Sequence, residues 1–94
     1  MPTMASPQDI SSYRRTLEER WRSKVRESKA NYERASAEFA RLVEQLEAPA
    51  DSALRRAREL RQARSRESAA RSAYMRNLAI FTDLVVNGTL PSRD

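Results

Sequence analysis

Between Pro7 and Pro49 the chain has no proline and no glycine, and from Ala50 to Asn87 it again has neither. Glycine and proline are the strongest local breakers of regular structure. Two uninterrupted stretches of roughly forty residues, separated at Ala48-Pro49, predict two long helices folded back on each other. The expected fold class is therefore all-α: a long antiparallel two-helix hairpin, coiled-coil-like, that dimerises into a four-helix bundle.

Boundaries follow from the punctuation. Residues 1–5 are expected to be a disordered leader, and residues 6–88 the hairpin. Ser6 is placed to accept from a first-turn N–H, Pro7 suits the first helical position, and Asp9 complements the positive end of the helix dipole. Helix 1 is expected over about 7–47, a turn over 48–51 with Asp51 or Ser52 as the next cap, and helix 2 over about 52–87. Gly88 can take the left-handed conformation that ends a helix, Pro91 prevents its resumption, and 89–94 form a tail. Asn87-Gly88-Thr89 also spells a glycosylation sequon, but the absence of a secretory signal pattern favours the cap.

Apolar periodicity supports both helices. On a 100° wheel, Tyr13, Leu17, Trp21, Val25, Tyr32, Ala35, Phe39, Leu42, Val43 and Leu46 stay within about 60° of Ile10. That period is near 3.6, which predicts a nearly straight pair with little supercoil. In helix 2 the stripe runs through Leu60, Ala63, Glu67, Ala70, Tyr74, Leu78, Phe81 and Val85. Its first half is alanine-rich. In its second half Met75, Ile80, Leu84 and Val86 widen the apolar face to roughly 240°, against the ~100° one neighbouring helix covers.

Folding about Pro49 pairs positions whose numbers sum to about 99, setting Trp21 opposite Leu78 and Val25 opposite Tyr74. The heaviest apolar cluster then lies at the open end, where an interface is expected, either with a second copy or with another, unidentified protein. Helix 1 would contribute Ile10, Tyr13, Leu17 and Trp21. Helix 2 would contribute Tyr74, Leu78, Ile80, Phe81, Leu84 and Val85. A patch of this kind is larger than monomers usually leave bare, and aromatics beside arginine are typical of binding anchors. Ordering costs ~1.5 kcal/mol per residue and a lone seam buries little, so association is expected to accompany folding.

The charge is +5, with sixteen arginines and two lysines, a bias suggestive of a GC-rich bacterial genome. A second function class arises from Arg55, Arg56, Arg58, Arg61, Arg64 and Arg66, a run able to meet nucleic-acid phosphates. On the same wheel these arginines surround the helix, and Glu33, Glu38, Glu44 and Glu47 face them, so internal ion pairs are expected to absorb much of the charge. Arg14, Arg15, Arg20, Arg22, Lys24, Arg26 and Lys29 meet fewer acids, leaving the open half positive. Glu67 falls on the apolar stripe and is expected to fix register by bonding a hydroxyl such as Ser28 or Tyr32.

Catalysis has little to stand on. Without histidine or cysteine there is no usual triad, thiol chemistry or Glu-x-x-His metal pair, and one glycine cannot build a phosphate loop. No catalytic, metal or cofactor site is expected. No apolar run approaches the ~20 residues that span a bilayer, so a cytoplasmic location is expected. The resulting expectation is a non-catalytic structural or adaptor protein working through self-association, with nucleic-acid binding by helix 2 as the alternative.

Overall fold

The computed structural model describes residues 7–47 and 53–91, with side chains described over 11–46 and 53–91. Helix α1 spans Pro7–Glu44, tightens into a 3-10 turn at Gln45–Glu47, and is followed by α2 at Ala53–Asn87. The two helices pack lengthwise into a rod of 74 × 18 × 17 Å. The expected leader, the Ser6, Asp51 and Ser52 caps, the Ala48-Pro49 turn, the last residues of the tail and the side chain of Ile10 lie outside the described residues.

Both described helix ends fall where the punctuation sets them. Pro7 opens α1, where its missing N–H forfeits no helical bond. Gly88 has φ of 67° and donates its N–H to the Leu84 carbonyl at 3.1 Å, while the Thr89 N–H reaches the Asp83 carbonyl at 3.2 Å. This left-handed cap costs a residue with a Cβ about 1–2 kcal/mol, which is why glycine ends α2.

The core is a single seam, and its spacing corrects the expected period. In α1 the sheltered positions are Trp21, Ser28, Ala35 and Leu42, alternating with Val25, Tyr32 and Phe39. In α2 they are Ala63, Ala70, Asn77 and Leu84, alternating with Leu60, Glu67, Tyr74 and Phe81. Each series recurs every seven residues, the spacing of a coiled-coil seam. A stripe judged at 3.6 drifts by ~20° per heptad, so the 100° wheel blurs seam and flank over helices this long.

The pairing is antiparallel, but its register also departs from expectation. Ser28 meets Asn77, Tyr32 stacks on Tyr74 with ring centroids 6.1 Å apart, and Glu38 pairs with Arg66. These numbers sum to 104–106, not 99; Tyr74 therefore faces Tyr32, not Val25. A seven-residue seam presents equivalent positions after a shift of one heptad, so its pattern admits a sum of 99 as readily as 106. The lean of helical side chains toward their own N-terminus adds only about one residue per chain.

Leu84 is fully buried at 0% exposure, whereas Leu54 at the closed end is 83% exposed. Leu84→Ala should cost about 3 kcal/mol in urea unfolding followed by circular dichroism, and Leu54→Ala no more than ~0.5 kcal/mol. Equal effects would place the seam elsewhere.

Candidate interaction surfaces

The seam's polar centre is the Ser28 hydroxyl. It lies 2.8 Å from the Lys24 carbonyl and 3.1 Å from the Val25 carbonyl, bonding back within α1, and accepts from the Asn77 amide at 3.3 Å. Asn77 thus performs the register role expected of Glu67, which is half-buried and bonds neither Ser28 nor Tyr32. The shifted pairing explains the exchange: it carries Glu67 away from the level of Ser28 and Tyr32 and brings Asn77 to Ser28.

Cations close the seam from both sides. The Lys24 ammonium sits 4.3 Å from the Trp21 ring centroid, and the Arg22 guanidinium 5.7 Å from that of Phe81. Such stacking covers the outward faces of the rings while the charged heads keep contact with water. At the open end Arg14 is a latch. Its guanidinium donates to the Leu84 and Val85 carbonyls at 3.3 and 3.4 Å, where the negative end of the α2 dipole lies, and pairs with Glu18 at 3.3 Å. Arg14 is therefore engaged by the fold, a role its place in the basic set did not disclose.

The interface residues expected from sequence divide three ways. Trp21 and Leu84 are buried within one chain. Leu17, Tyr74, Leu78, Ile80 and Phe81 are half-buried, and Tyr13 and Val85 are exposed. Trp21 and Leu84 are corrected from anchors for a partner to core residues, because the seven-residue period brings both to the seam centre. What remains outward is narrower. On α2, Met75, Leu78, Ala79, Thr82, Val85 and Val86 follow spacings of three and four and contain no charge. Met75, Val85 and Val86 are 56%, 42% and 71% exposed. Met75 and Val86, taken from sequence as the flanks of one broad face, belong to this second stripe.

The six-arginine run is divided too. Arg56 donates to the Gln45 carbonyl at 2.6 Å, and Arg66 pairs with Glu38 at 3.0 Å. Arg55, Arg58, Arg61 and Arg64 are exposed. Among the described residues Glu33 and Glu44 pair with no arginine, so the acidic screen expected across the hairpin is thinner than the charge count implied.

A shallow groove of about 330 Å³ crosses the hairpin between Lys24, Glu27 and Asn31 of α1 and Ala73 and Arg76 of α2. Among the described residues no group of three His, Cys, Asp or Glu could hold a metal ion, and no helix is long and apolar enough to cross a membrane. No protein-family model, curated protein or solved structure matches the chain.

Two contacts can be tested directly. A double-mutant cycle on Ser28→Ala and Asn77→Ala should give a coupling of about 1 kcal/mol in urea unfolding. Arg14→Gln should cost about 1 kcal/mol, less at high salt. A coupling near zero would remove Asn77 from its register role.

Proposed function

We propose that the protein is a non-catalytic structural or adaptor module that self-associates through the outer stripe of α2, forming a four-helix arrangement from two hairpins. The observation that carries this reading is the uncharged stripe from Met75 to Val86, about three helical turns long, left facing water. A stripe of this spacing on an otherwise charged rod is costly unless another surface covers it. A second copy is the fitting occupant. The stripe offers no charge for a partner of opposite sign to recognise, and an apolar helix face packs on its own image about a two-fold axis. Trp21 and Leu84 support the contact from beneath by holding α2 in place.

Light scattering at micromolar concentration should report a dimer. Met75→Lys with Val86→Lys, both at exposed positions, should raise its dissociation constant by roughly 100-fold, because the introduced ammonium groups would be buried against like charges of the second copy. Helical content at high protein concentration tells dissociation from unfolding. A wild-type chain that stays a compact, stable monomer under these conditions defeats the proposal.

A further inference from the structure

The seven-residue seam assigns every remaining position to one of two flanks. Residues one place before the Val25-type seam positions, such as Lys24, Asn31 and Glu38, stand on one side. In α2 the equivalent places hold Glu59, Arg66 and Ala73. In an antiparallel pair like flanks face each other, and two observations show that they do here. Glu38 reaches Arg66 across the hairpin, and Lys24, Asn31, Ala73 and Arg76 line the same groove. Residues four places after the Val25-type positions must therefore share the opposite flank.

That opposite flank is basic along its length. From α1 it receives Arg15, Arg22 and Lys29, with Arg26 one step further out; from α2 it receives Arg64 and Arg71, with Arg61 one step further out. All seven are exposed, and among the described residues none is held in an ion pair. Among the described side chains the acids on this side are Glu19 and Glu33, against seven positive charges. The observed register places Arg61–Arg71 level with residues 34–44 of α1. The two sets thus lie end to end, one helix supplying the open half and the other the closed half, over roughly 40 Å at 1.5 Å per residue.

We infer that this composite flank is a binding surface for the phosphate backbone of a double-stranded nucleic acid. The chemistry is that of backbone contact. Six of the seven cations are arginine, whose planar fork matches phosphate oxygens in two-point hydrogen bonds. They are borne by a stiff rod, so the charges keep their line when a second stiff rod is laid against it. A lipid surface is less well served, since the closed half of the flank around Arg61, Arg64 and Arg71 presents mainly serine and alanine between its charges, and its exposed apolar residues, Val43 and Leu54, are isolated and form no continuous apolar face. The surface differs from the arginine run visible in sequence: of that run only Arg61 and Arg64 belong to it, and most of its charge comes from α1 and Arg71.

The test uses the full chain and a 30-base-pair DNA duplex, with fluorescence anisotropy across a salt series beginning at 50 mM. Seven phosphate contacts predict a log–log salt slope of about −6. Arg61→Gln/Arg64→Gln/Arg71→Gln should weaken binding at least tenfold and flatten the slope by about 3. Arg55→Gln/Arg58→Gln/Arg76→Gln removes the same charge from other faces of α2 and should weaken binding less than threefold. Exposed Arg→Gln changes preserve helix propensity, and circular dichroism verifies that both triples fold. The inference is overturned by no binding at 50 mM salt, by equal losses in the two triples, or by tighter binding to phosphatidylserine vesicles or polyglutamate than to the duplex.

Discussion

A seven-residue recurrence shared by two antiparallel helices decides the destination of nearly every side chain in this rod. Two helices enclose only one line of contact, so a residue is at the seam, beside it, or turned to water. Trp21, Ser28, Ala63 and Leu84 occupy the seam and are buried. Cations beside it lie over the aromatic faces, as Arg22 does over Phe81 and Lys24 over Trp21. The period thereby fixes the interior and both flanks at once. A one-residue slip of either helix would exchange core for surface.

Such a seam is weakest where it ends, and the two ends are closed differently. At the open end Gly88 turns the chain out of α2 and Arg14 binds the carbonyls this leaves exposed. One guanidinium so joins the beginning of α1 to the end of α2 near Leu84, which lies directly beneath the latch. At the closed end Arg56 meets the Gln45 carbonyl in the 3-10 turn, again a cation at the negative end of a helix. Polar bonds thus restrain the ends, and apolar contact with a Ser28–Asn77 bond at its middle sets the register.

Much of this was legible in the sequence, and what was not has identifiable causes. Pro7 and Gly88 act through local backbone constraints, so both helix ends could be read from residue type. Most apolar members of the seam could also be read, but Ser28 and Asn77 could not, because a polar residue interrupts the apolar pattern that marks a seam. Register could not. Shifted by one heptad the seam offers equivalent positions, so residue pattern alone does not choose between Tyr32 and Val25 as the neighbour of Tyr74. The basic flank draws on both helices, so it exists only once the register joins them. On a 100° wheel Leu84, ten residues from Tyr74, falls about 80° away, whereas a seven-residue period sets it at about 50° and so nearer the seam. Arg14 gave no signal at all, since its bonds reach carbonyls seventy residues away.

The outer stripe of α2 and the basic flank share a border, and this bears on how each would behave. Arg22, Arg26 and Lys29 of α1 lie on the flank toward which Met75, Leu78 and Val85 of α2 also turn. Two copies meeting through those apolar residues would bring two sets of like charges toward each other. Repulsion of this kind is screened within about a Debye length, ~10 Å at 0.1 M salt. Association through the stripe would accordingly strengthen as salt is added. Contact with phosphates has the opposite dependence, because salt competes with the release of counterions. The same three cations therefore oppose one contact and favour the other, and ionic strength separates the two by sign.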